Sequence, residues 1–256
     1  MSLRPVYNLL AYYLTLLMFG AFGLELTFVC LLTGWLRDTE RTERFFQRLI
    51  HGHLAFFHHW CAFARLVYVR YHGFESLPRG RVVLVANHPA LIDVTCLLAR
   101  IPEAVCIFKP AIRRNPVLGA AARRACYLSG DGGLKLIRGA AAKVAAGNLL
   151  LIFPEGTRTP PGRALLPFKP GFVVIARRAR APIQLVRITT DSDVLTKGRA
   201  WWRLPRFPAN IEVAAGPLIP TDTTATTSEL AAGIEAWFHG AAPVANAPGP
   251  VPTAVS

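Results

Sequence analysis

Two short runs in the chain combine residue types that can move protons and hold anions. The first is Ala86-Asn87-His88-Pro89-Ala90-Leu91-Ile92-Asp93, directly after the apolar stretch Val82–Ala86. Its histidine falls on a strand-to-helix turn, with a carboxylate about one helical turn further on. A carboxylate that accepts from one ring nitrogen fixes the tautomer and leaves the other nitrogen free to take a proton from a hydroxyl. Taken alone, the same spacing also suits a satisfied turn histidine beside a helix-starting aspartate. The second run is Phe153-Pro154-Glu155-Gly156-Thr157-Arg158, after the apolar Leu149–Phe153. A glycine turn followed by arginine can offer backbone N–H groups and a guanidinium to phosphate oxygens. Two polar turns at the carboxyl ends of buried strands fit the rule for ligand sites in open α/β sheets.

The elements that must position these turns alternate along the chain. Val82–Ala86, Val105–Phe108, Leu149–Phe153 and Pro182–Ile188 are β-branched or leucine-rich runs that read as buried strands. Between them, Ala90–Leu98, Val117–Arg124, Leu134–Ala145 and Gly171–Ala179 read as helices. Ile211–Ala215 adds a last strand and Ser228–His239 a closing helix. The pattern predicts an α/β fold with a mixed central sheet and helices on its faces. Residues 73–240 are expected to form this domain, behind membrane-anchoring helices at 1–72. The uncharged Ala/Pro/Gly/Val stretch at 241–256 is expected to be a disordered tail.

Composition points to a lipid surface. The 256 residues are 52% hydrophobic and carry 29 basic against 15 acidic side chains, for a net charge of +14. The pI is about 10.4 and the mean hydropathy +0.34. Positive charge favours an anionic partner, and the hydrophobicity favours membrane lipids over nucleic acid. Residues 6–36 form an apolar run with one charge, Glu25. That is long enough to span a bilayer, which takes about 20 residues, or to dip into one leaflet. Arg37, Arg41, Arg44 and Arg48 follow, then Phe56, Phe57, Trp60 and Phe63, the pattern of an amphipathic helix at the interface. By the positive-inside rule these arginines predict that the following domain lies in the cytoplasm, and the cell inner membrane is the expected location.

Other signals are weak. Cys30, Cys61, Cys96, Cys106 and Cys126 show no C-x-x-C spacing, and His51, His53, His58 and His59 have no metal-ligand spacing, so no metal is expected. Ser129 stands in no nucleophile elbow, and Gly130, Gly132 and Gly133 form no dinucleotide fingerprint, so no cofactor is expected. Trp201 and Trp202, with Arg199, Arg203 and Arg206 around them, read as facing lipid headgroups rather than nucleic acid.

Asn87-His88-(four residues)-Asp93 paired with Phe153-Pro154-Glu155-Gly156-Thr157-Arg158 resembles the glycerolipid acyltransferase family, whose best-known members are the lysophosphatidic acid acyltransferases. Lys109, Pro116 and Gly119 resemble the family's middle block, and Ala181-Pro182-Ile183 a later one, so the likeness covers about residues 75–220. It implies a membrane-bound O-acyltransferase in which His88 is general base and Asp93 its orienter. The donor would be acyl-CoA or acyl-carrier protein, and the acceptor the hydroxyl of a lysophospholipid, most simply 1-acylglycerol 3-phosphate, or of another hydroxylated lipid. Asn87, Lys109, Glu155, Gly156, Thr157 and Arg158 would shape the substrate site, with Lys109 and Arg158 at positions associated with the acceptor phosphate. One departure stands out: Gly132 follows Asp131 where many members have arginine. Arg113, Arg114, Arg123 and Arg124 are the cations that could substitute. A catalytically silent membrane adaptor of the same fold is the rival reading.

Overall fold

The described residues, 3–240 of this computed structural model, hold seven strands in one sheet. They are β1 (Val67–His72), β2 (Val82–Ala86), β3 (Ala104–Phe108), β4 (Leu128–Ser129), β5 (Leu149–Ile152), β6 (Ile183–Thr190) and β7 (Ala209–Ile219), in the order β1-β7-β6-β2-β5-β3-β4. The tail expected at 241–256 lies outside the described residues. Five strands run parallel; β7 pairs antiparallel with β6, and β1 lies parallel to β7, so the sheet is mixed as expected.

Strand β2 occupies the centre because every residue in it is apolar on both faces. Val82, Leu84 and Ala86 enter one core and Val83 and Val85 the other, all fully buried. The period of two divides one continuous hydrophobic run between two helix layers. Among the described residues the α-helices are α1 (Arg4–Leu32), α2 (Glu40–Phe63), α3 (Asp93–Leu98), α4 (Pro110–Arg113), α5 (Gly119–Arg124), α6 (Gly133–Ala145), α7 (Gly171–Ala179) and α8 (Thr227–Phe238). Helices α2 and α3 pack on the side of Leu84, and α6, α7 and α8 on the side of Val83.

Strands β1 and β4 and the short α4 were not anticipated, and β7 runs well beyond Ile211–Ala215. Val67–His72, grouped by sequence with the anchoring segment, is an edge strand: it sits against Ala209–Ala214 in continuous register. The sheet therefore starts at Val67. Helix α3 starts at Asp93 rather than Ala90, because Asp93 Oδ2 accepts from the Ala90 N–H at 2.7 Å and holds residues 88–92 as a turn.

Helix α1 is long and apolar enough to cross a membrane, with a mean hydropathy of 2.0. Only a stripe of it, Ala11, Tyr12, Thr15, Gly23, Leu26 and Cys30, is buried against the rest of the chain. Leu9, Leu10, Leu14, Leu17, Leu24 and Phe28 are exposed. Its one internal charge, Glu25, meets His53 of α2 at 3.3 Å. Contacts run along its length: Tyr7 Oη donates to the Ala64 carbonyl and Thr27 Oγ1 to that of Pro116, each at 3.1 Å. At a rise of 1.5 Å per residue those two points lie about 30 Å apart.

Candidate active site

The first turn is built around one carboxylate. Asp93 is 1% exposed, and its Oδ2 lies 3.0 Å from His88 Nδ1 while also accepting from Ala90 N–H. One oxygen thus fixes both the ring and the backbone beneath it, with His88 Nε2 left as the ring's second nitrogen. The other carboxylate oxygen, Oδ1, is buried with no hydrogen-bond partner among the described residues. Burial pushes the Asp93 carboxyl above its ordinary pKa, against the opposing pull of His88. An unsolvated carboxylate of this kind is best compensated when the imidazole beside it gains a proton, which is what a general base must do. Phe153 stacks on the imidazole at 4.3 Å, keeping water off one face.

Neighbouring side chains hold this turn in place. The side-chain amide of Asn87 donates to Ile188 O at 2.8 Å and its oxygen accepts from Ile188 N–H at 2.7 Å, tying the end of β2 to β6. Glu155, 4% exposed, accepts from the His88 backbone N–H at 2.8 Å through Oε1. Its Oε2 accepts from the Thr159 hydroxyl at 2.6 Å and from Leu166 N–H at 3.0 Å. Thr159 N–H in turn donates to His88 O at 2.8 Å. The two sequence motifs therefore meet, and both Asn87 and Glu155 spend their polar groups on the protein itself.

The second turn is the more open one. Gly156 adopts φ +69°, and a Cβ there would stand 3.3 Å from Lys169 Nζ, so the lysine lies across the glycine. Lys109 Nζ lies 3.4 Å from Thr157 Oγ1, which brings a second ammonium to the same turn. The N–H groups of Thr157 and Arg158 donate to no acceptor among the described residues. A left-handed residue followed by free amides and flanked by two cations supplies the donors and the charge that an anion would need. Arg158 points elsewhere: Nη1 donates to Leu195 O at 2.8 Å and Thr196 O at 3.2 Å. Lys169 escaped the sequence reading. The signal for it was the Phe168-Lys169-Pro170-Gly171 punctuation before α7, which marks a turn but does not say where the turn returns.

Of the cations that could compensate for Gly132, two are engaged. Arg124 bonds to Asp38 and to the Leu36 and Thr33 carbonyls, and Arg123 donates to Arg113 O at 2.7 Å. Arg113 and Arg114 remain exposed. Asp131 has its pKa lowered first by the Ser129 hydroxyl and, further down, by the fields of these two arginines.

A buried His–Asp pair and a glycine turn flanked by two ammonium groups thus lie side by side at the carboxyl ends of β2 and β5, and similarity to known proteins supports the glycerolipid acyltransferase family for this chain. Residues 68–189 match the family model described as Acyltransferase. Among known relatives, a 1-acyl-sn-glycerol-3-phosphate acyltransferase of Cocos nucifera is 36% identical over 152 residues, 56% of this chain and 47% of that one. One of Helicobacter pylori with the same description is 33% identical over 115 residues, 43% of this chain and 48% of that one. The chain thus spans about half the length of these curated relatives. The solved 1-acyl-sn-glycerophosphate (LPA) acyltransferase PlsC of Thermotoga maritima shares the fold, with a TM-score of 0.71 over 92% of this chain and 93% of that one, at 24% identity.

Proposed function

We propose that the chain is a membrane-bound enzyme that transfers a fatty-acyl group from acyl-CoA or acyl-carrier protein to the free hydroxyl of 1-acylglycerol 3-phosphate, giving phosphatidate. The observation that carries this reading is the contact of His88 Nδ1 with the buried Asp93 beside a glycine turn that Lys109 and Lys169 flank. His88 Nε2 takes the proton of the acceptor hydroxyl as its oxygen attacks the thioester carbonyl. The tetrahedral intermediate then collapses, the C–S bond breaks, and the thiolate leaves and takes up the proton from His88. Lys109, Lys169 and the amides of Thr157 and Arg158 hold the acceptor phosphate. Glu155 and Asn87 act by positioning the His88 turn, and Arg158 by fixing the loop after β6.

An apolar-walled cavity of about 150 Å³ lies between α1, α2, α3, β3 and α5, lined by Phe19, Leu26, Leu54, Val94, Leu98 and Phe108 among others. Val94, the residue after Asp93, lines it, so the cavity reaches the helix that carries the orienting carboxylate. We place α1 in one leaflet. Its contacts with the rest of the chain, from Ala64 to Pro116, extend over about 30 Å, the thickness of the hydrocarbon core, so an upright helix would draw part of the α/β domain into the bilayer. The basic segment after it sets the domain on the cytoplasmic side of the inner membrane.

Purified protein given a labelled acyl thioester and a panel of hydroxylated lipids tests the reading: label should pass chiefly to 1-acylglycerol 3-phosphate. A second acceptor class is favoured by Gly132, which lacks the arginine of many relatives. Preference for a lipid without a phosphomonoester would select that class, whereas label transfer to no lipid would leave the adaptor reading.

A further inference from the structure

We propose that the loop between β6 and β7, residues 191–208, is a second lipid-contacting element that sets the Trp201–Trp202 pair into the surface of an anionic bilayer beside α1. This rests on the reading of α1 as embedded in one leaflet. Trp201 is 58% and Trp202 56% exposed, and the rings meet edge to face at 5.4 Å. Two adjacent indoles left in water are costly, whereas the membrane–water boundary is where their apolar bodies and N–H groups are both accommodated.

The pair is fastened to α1. Tyr12 Oη donates to Trp201 O and Tyr13 Oη to Trp202 O, the latter at 2.8 Å, and the Tyr12 ring packs on Phe207 at 5.6 Å. Around Tyr13, at the three- and four-residue spacing that shares its helix face, Leu9, Leu10 and Leu17 are exposed. The tryptophans therefore continue the outward apolar face of α1. Charge agrees: Arg203 and Arg206 are exposed, and neither they nor Lys197 form an ion pair among the described residues. The loop's acids are already engaged, Asp193 with Arg199 and Asp191 with Asn210. Toward solvent the loop presents Arg203, Arg206 and the two indoles against one exposed carboxylate, Asp191, a net positive face matched to anionic headgroups.

The other end of the loop reaches the active site. Leu195 O accepts from Leu91 N–H at 3.1 Å and from Arg158, and Thr196 bridges Ala90. Lipid contact at the tryptophans thus fixes the height of both catalytic turns above the bilayer.

The test uses full-length protein in vesicles of phosphatidylglycerol and phosphatidylcholine with brominated acyl chains, a contact quencher of indole. Native protein is compared with Trp201→Phe/Trp202→Phe, in which large apolar rings preserve the packing. The expected result is loss, in the double variant, of a bromolipid-quenchable part of the emission present in the native protein. An equal quenchable share in the two proteins overturns the proposal. So does a pair that is unquenched by bromolipid but shifts its emission with protein concentration in detergent, which assigns the face to a second copy. Alkaline carbonate extraction of the same vesicles reads α1 separately: protein retained in the pellet with an equal quenchable share removes the loop proposal and leaves the embedding of α1 standing.

Discussion

At the residue scale, the account turns on a carboxylate held where it is uncomfortable. Burial raises the Asp93 pKa, so its charged form costs folding free energy at any pH above the ordinary carboxylate range. Asp93→Asn removes that charge while its side-chain oxygen can still accept from Ala90 N–H. Turnover should fall by about 10²-fold or more, the usual scale of general acid–base catalysis, while the melting temperature stays level or rises. A fall in melting temperature as large as the loss of activity would make Asp93 a structural residue. The anion turn gives a separate readout. Lys169→Ala should raise KM for 1-acylglycerol 3-phosphate by about tenfold, one hydrogen bond to a charged group, with kcat little changed. The His88/Asp93 pair was readable in sequence because its members are five residues apart. Lys169 was not, because only the fold lays it across Gly156. Glu155 and Arg158 were found but assigned to substrate, since a motif does not reveal that its side chains bond to the His88 N–H and the Leu195 carbonyl.

At the scale of elements, the central strands were the legible part, because β2, β3 and β5 are apolar runs with breaks at both ends. The edge strands were hidden for the opposite reason. Val67–His72 alternates polar and apolar next to a helix-rich segment, and only its pairing with β7 makes it a strand. Helix α2 read as an interfacial helix from its arginines and rings, yet it also carries a structural histidine. His58 Nε2 lies 3.0 Å from Thr95 Oγ1 of α3, and burial pulls the imidazole pKa down to about 4. The unfolded chain takes up a proton near pH 6.5, well before the folded one does. Stability contributed by this junction is therefore complete above pH 6.5 and is lost as the pH falls toward 4. Thermal melts in detergent across that range should show the decline, and His58→Leu should flatten it. An equal slope in both proteins would exclude His58 as its source.

At the scale of the whole molecule, net charge and hydropathy serve the same end. In the proposed reading the charge of +14 draws the chain to anionic lipid, but charge alone is screened by salt, whereas an embedded apolar face is not. Membranes washed with high salt or with alkaline carbonate should keep the protein in the pellet, and release by salt alone would make the arginines the true anchor. The long apolar helix was legible in the sequence from residues 6–36. How the helix lies was not, because it depends on contacts at Ala64 and Pro116 with residues far along the chain.

The central claim is that His88 activates an acceptor hydroxyl for direct attack on an acyl thioester. Single-turnover release of thiol from acyl-CoA, followed with and without 1-acylglycerol 3-phosphate in native protein and in His88→Ala, tests it most directly. The account predicts thiol release only when acceptor is present, one thiol for each phosphatidate formed, and a loss of about 10²–10⁴-fold in His88→Ala. Release without acceptor, or a rate within tenfold of native in a folded His88→Ala protein, would contradict it.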